Sequence, residues 1–93
     1  MGRKSRAQKI IEEQENVEDR NPEATYLVIY DFVEGNNPRQ FYDNLHRLFN
    51  HYEGQLVQRS VVEVMGENAG KAVQILAEMY GASVLRYRVM KEE

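Results

Sequence analysis

The chain has 93 residues, 42% of them hydrophobic and 29% charged, enough for one small domain with a thin core. It contains no cysteine, which excludes a disulfide framework and a thiolate metal site, and no run approaches the roughly 20 apolar residues of a membrane span. The formal charge of −3 argues against a generic DNA-coating protein, and the basic N-terminus lacks the apolar run of a signal peptide, so a cytoplasmic location is expected.

Residues 1–24 carry a basic block (Arg3, Lys4, Arg6, Lys9) and then an acidic one (Glu12, Glu13, Glu15, Glu18, Asp19). Only Ile10, Ile11 and Val17 are strongly apolar there, too few to offset the entropy of ordering the segment. The expectation is a charged flexible segment, a frayed helix or a disordered arm, followed by one domain over 25–93. As a DNA-tracking arm it is poorly suited, because its acidic half cancels its basic half.

"TYLVIYDFV" (residues 25–33), dense in β-branched and aromatic residues, reads as a strand. "EGNNP" is a loop, with Asn37 as helix cap and Pro38 in the first turn. In "RQFYDNLHRLFNHY", Phe41, Leu45, Leu48, Phe49 and Tyr52 fall on one helical face, and Gly54 stops the helix. "QLVQRSVVEV" (55–64) has no clean face as a single strand. A two-residue turn at Arg59-Ser60 puts Val57, Val62 and Val64 on one wholly apolar face, so a hairpin explains it better, although tight turns prefer Asn or Gly. "GENAGKAVQILAEMYG" forms a second helix with a stripe of Ala69, Ala72, Val73, Leu76, Met79 and Tyr80. "ASVLRYRVM" alternates strictly and forms the last strand.

Strand, helix, strand, strand, helix, strand is the ferredoxin-like βαββαβ plan, an α+β fold with a four-stranded antiparallel sheet and two helices on one face. With Leu27, Ile29, Leu85, Tyr87 and Val89 assigned to the covered side, the open side shows Tyr26, Val28, Tyr30, Val84, Arg86, Arg88 and Met90. That surface is too apolar to be left to water. It suits a homodimer interface through Tyr26, Val28, Tyr30, Arg86 and Arg88, or a platform for stacking unpaired bases.

Asp31 is the residue that strand propensity does not explain. Its carboxylate could close a turn, or could ligate a hard cation such as Mg²⁺. His46 and His51 have no third ligand, and Lys71 lies outside any phosphate-loop spacing. Arg39, Arg47 and Arg59 are candidate phosphate contacts, and Arg86 and Arg88 add a pair on the sheet.

These residues carry a resemblance. Tyr30-Asp31 at a strand end, then a helix, then Val57, Gln58, Ser60 and Val61 in a hairpin resemble the CRISPR-associated adaptation protein two family, the small dimeric partner of the spacer integrase. The virulence-associated protein D family shows a similar hairpin. The likeness covers residues 25–65. The chain departs from the pattern at Val62, where phenylalanine is usual, at Val64, where glycine often follows, and in its charged leader. The resemblance implies a ferredoxin-like homodimer associated with DNA or RNA. In some members it implies a metal-dependent endonuclease, here with Asp31 as catalytic metal ligand for Mg²⁺ or Mn²⁺ and Arg39 on phosphate. In others it implies a scaffold for DNA and the integrase partner. The alternative is a non-catalytic dimeric interaction or regulatory module on the same fold.

Overall fold

The computed structural model describes residues 4–32 and 38–90. The leader holds the first helix, α1 (Arg6–Glu15). Ala7, Ile10, Ile11 and Gln14 recur at the spacing of one helical face, and all four are buried. Ser5 caps the helix by accepting a hydrogen bond from Gln8 N at 3.1 Å. The N–H of Ala7 donates to Asn44 Oδ1, on the next helix, at 3.0 Å. The flexible segment expected for 1–24 is thus corrected over its described part. The small Ala7 and the polar Gln14 complete a stripe that a count of strongly apolar residues misses. Residues 1–3 lie outside the described residues.

The remaining elements follow the expected order. They are β1 (Thr25–Phe32), α2 (Arg39–His51), β2 (Gly54–Gln58), β3 (Val61–Met65), α3 (Glu67–Met79) and β4 (Ala82–Val89). The four strands form an antiparallel sheet in the order β2-β3-β1-β4, consistent with the ferredoxin-like arrangement, and α1 adds a third helix. Asn37, expected to cap α2, lies outside the described residues together with residues 33–36 and 91–93. Pro38, expected in the first turn, is itself the residue before the helix, at φ −62° and ψ 129°.

The hairpin turns at Arg59-Ser60, and Gln58 pairs with Val61, as expected. Ser60 supplies the positive φ of the turn, 71°, in place of the usual Asn or Gly. The register then slips between Leu56 and Gln58, so Leu56, not Val57, pairs with Val62. Such a bulge inserts one residue into β2 and reverses the parity before it. Val62 and Val64 are buried as expected, whereas Val57 is exposed.

The two faces of the sheet are the reverse of the expected assignment. Tyr26, Val28, Tyr30 and Phe32 point into the core with Val62, Val64, Leu76 and Val73. Tyr30, Phe32 and Phe41 meet edge to face, with ring centroids 4.9 to 5.7 Å apart. Tyr26, Val28 and Tyr30 therefore cannot form a dimer interface without opening the core. Arg88 and Arg86 pair with Tyr26 and Val28, so they too lie on the helix side. Both parities of β1 are apolar, which is why its pattern alone is ambiguous. Asp31 resolves it, because it shares parity with Leu27 and Ile29, and an unpaired carboxylate belongs on the side facing water.

Candidate functional site

The open face is built in rows across β3, β1 and β4. Val61, Ile29 and Leu85 form one row; Glu63, Leu27 and Tyr87 the next; Met65, Thr25 and Val89 the third. Leu85 is 56% exposed, Tyr87 52% and Met65 42%. Four uncovered strands with apolar side chains in the centre exceed the scattered exposure of an ordinary surface. Sequence reasoning places Leu27, Ile29, Leu85 and Tyr87 beneath the helices and so misses them as surface residues. The parity of Asp31 is the signal that could have found them.

The ionisable carboxylates that strand pairing places on this face are Asp31, opposite Ser83, and Glu63, opposite Leu27. No arginine or lysine of the four strands shares it, since Arg86 and Arg88 alternate to the other side. A recess of about 330 Å³ at the sheet end, between Thr25, Glu53, Gly54, Gln55, Glu63, Val64 and Met65, is also acidic. The face can bury apolar surface, but its four strands offer no cation to a phosphate backbone.

Asp31 is exposed near the end of β1. Among the described residues, no three His, Cys, Asp or Glu side chains cluster as metal ligands.

Arg39 begins α2, Arg47 lies eight residues along it, and Arg59 sits on the hairpin turn; all three are exposed. At 1.5 Å per residue, Arg39 and Arg47 are about 12 Å apart along the helix axis. All three are surface cations, and among the described residues none of them has a carboxylate within ion-pair distance. His46 packs against Phe49 and His51 against Tyr52, with centroids 6.4 and 4.6 Å apart. Lys71 sits 3.7 Å from Glu67 on its own helix. Among the described residues, no helix is long and apolar enough to cross a membrane.

Compared with protein-family models, with curated proteins and with solved structures, the chain matches none.

Proposed function

We propose that the chain acts as a homodimer that associates with nucleic acid, in the manner of the scaffold members of the adaptation protein two family. The observation that carries this reading is the open sheet face, with Leu85 and Tyr87 more than half exposed beside Leu27, Ile29 and Val61. A second copy is the occupant that its chemistry favours. The apolar rows invite burial, and the acidic Asp31 and Glu63 repel a phosphate backbone, which counts against base stacking on this face. Nucleic acid then contacts arginine-bearing surfaces elsewhere, with Arg39, Arg47 and Arg59 as surface cations available to it. An integrase partner belongs to the same reading through the resemblance, and a cytoplasmic location through the basic N-terminus without a signal-peptide run.

The test is oligomeric state by light scattering on the full chain. The wild type is expected to be a dimer, and Leu85→Glu with Tyr87→Glu to be a folded monomer, since both side chains already face water in one chain. A monomeric wild type over a wide concentration range would remove the interface.

A second reading, the metal-dependent endonuclease, is favoured by one observation. Asp31 lies on the face that two copies would share, so a dimer could bring two carboxylates to one Mg²⁺ or Mn²⁺. Phosphodiester cleavage that requires either cation and is abolished in Asp31→Ala supports it. A dimer inert with both cations returns the protein to a non-catalytic role.

A further inference from the structure

We propose that Arg86 and Arg88, with Arg20 beside them, form a phosphate-binding edge along β4, on the helix side of the sheet. The proposal deepens the nucleic-acid half of the reading above and rests on it for the source of the phosphate.

β4 ends the sheet, so one of its flanks is free. Arg86 and Arg88 are two positions apart on one face of it, about 7 Å along the strand. Arg88 lies opposite Tyr26, and the Arg86 guanidinium leans over the same ring, 5.9 Å from its centroid. The Arg86 stem crosses α3 at Gly70, where an added Cβ would come within 3.2 Å of Arg86 Cδ. The ring and the missing side chain of Gly70 thus hold Arg86 in place. Its Nη1 is buried and has no hydrogen-bond acceptor. Arg88 and Arg20 border one recess of about 250 Å³ together with Asn21, Pro22, Glu23 and Ala24. Among the described residues, none of these three arginines has a carboxylate within ion-pair distance; the pairs present are Lys4 with Glu12 and Lys71 with Glu67.

Neighbouring cations on one strand face repel, and a charged N–H without an acceptor is costly to bury. Among the described residues no carboxylate within ion-pair distance offsets that repulsion. An oxyanion beside Arg88 and Arg20 lowers the repulsion, because it neutralises the cations that border that recess. The planar fork of arginine matches phosphate oxygens two at a time. Glu23 opposes the anion from the same recess, which makes the edge weak by itself and suited to a chain of phosphates. The acidic open face lies on the opposite side of the sheet, so dimerisation through it leaves this edge free.

The experiment uses the full chain in two arms, a labelled single-stranded oligonucleotide read by anisotropy and inorganic phosphate read by thermal stabilisation. Arg88→Gln, at an exposed position, and Arg86→Gln with Arg88→Gln are compared with the wild type after far-ultraviolet circular dichroism shows that they are folded. The double variant is expected to bind the oligonucleotide roughly tenfold more weakly, with the slope of log affinity against log salt flattened by about 0.7 for each phosphate that is no longer neutralised. Glu23→Gln is expected to bind more tightly at low salt. Unchanged oligonucleotide affinity in the folded double variant overturns the edge and leaves the nucleic-acid reading standing. Phosphate stabilisation that disappears in the double variant, with no oligonucleotide binding by the wild type, supports the edge and removes nucleic acid as its source. A wild type that binds neither overturns both.

Discussion

The carboxylate of Asp19 caps the helix that begins beside Asn68: Oδ2 accepts from Asn68 N at 3.3 Å, and Oδ1 accepts from Glu67 N at 3.2 Å. Asn68 replies through its side chain, whose Nδ2 donates to Val17 O at 2.8 Å. The leader and the first turn of α3, far apart in sequence, are therefore tied by hydrogen bonds in both directions, although the buried Asn68 Oδ1 has no partner among the described residues. Gly66 makes the approach possible, with φ at 101° and no Cβ to meet Asp19 Oδ2, which would lie 2.8 Å away. Asp19→Ala should lower stability by about 1 kcal/mol, the ordinary value of an N-cap, and Asp19→Asn should recover only part of it, because its one amide oxygen can replace Oδ1 but its NH2 cannot accept from Asn68 N. Urea midpoints of the two variants, at unchanged slope, measure the difference.

Asn44 does the same for the other end of the leader. Its Oδ1 takes the N–H of Ala7, and its Nδ2 donates to Gln40 O at 2.9 Å and to Tyr80 Oη at 3.3 Å. Arg6 lies over the Tyr80 ring, 4.6 Å from its centroid. Asn44→Ala leaves a buried N–H without an acceptor, so a destabilisation of about 1–3 kcal/mol is expected. Deleting residues 1–16 should do more, because it uncovers the patch beneath Ile10 and Ile11. Increased binding of a hydrophobic dye and a lower melting temperature are the expected signs. A deletion variant as stable as the full chain would return the leader to the status of an arm.

How far the fold is legible in the sequence can be seen in single residues. Strict alternation in β4 and the helical stripes of α2 and α3 are legible because each has one plainly apolar side. The turn at Arg59-Ser60 is legible because no straight strand gives a clean face there. Alternation alone points the sheet the wrong way round, although Asp31 and Phe32 hold the answer. Arginine on the covered side also misleads, since Arg86 lays its stem along Gly70 and Tyr26 at the sheet edge while Arg88 is exposed there. The bulge at Val57 leaves no mark in residue type, because both parities around it contain apolar residues. For the site, Asp31 stands out as a strand-end carboxylate and is exposed, while the apolar rows around it look like core.

Gly54 offers a test of the hairpin's seating. It pairs with Val64, and an added Cβ would meet Val64 Cγ1 at 2.6 Å and Glu63 O at 2.9 Å. One of those atoms is backbone, so the strand itself would have to shift. Gly54→Ala should therefore destabilise by about 1–3 kcal/mol, the range of overpacked sites, despite the lower entropy of its unfolded chain. Gly81→Ala is a different case. It is strained by its φ of 88°, but nothing lies within 4 Å of the added carbon. Paired denaturation curves separate steric clash from conformation. If Gly54→Ala were as stable as the wild type, β2 would not lie against Val64 as described.

Tyr30 gives the fold an alkaline limit. Its ring is buried between Phe32 and Phe41, and its hydroxyl reaches Tyr42 Oη at 3.4 Å. Burial first, and then the Tyr42 hydroxyl, push its pKa well above the ordinary value of 10.0. The sign follows from linkage. Below pH 10 the tyrosine is protonated in both states, and its contribution is fully present. Above that value the unfolded chain gives up the proton while the folded chain holds it, so stability falls as pH rises toward the folded pKa. Tyr52, raised by burial, adds to the same slope. Stability should be flat with respect to these groups from pH 7 to 9 and decline above about pH 10. Tyr30→Phe should cost less than about 1 kcal/mol at neutral pH, where it removes one long hydrogen bond, and should flatten the alkaline decline. Urea midpoints for both chains across the alkaline range provide the measurement. Equal alkaline slopes in the two would mean that Tyr30 ionises as freely in the folded chain as in the unfolded one.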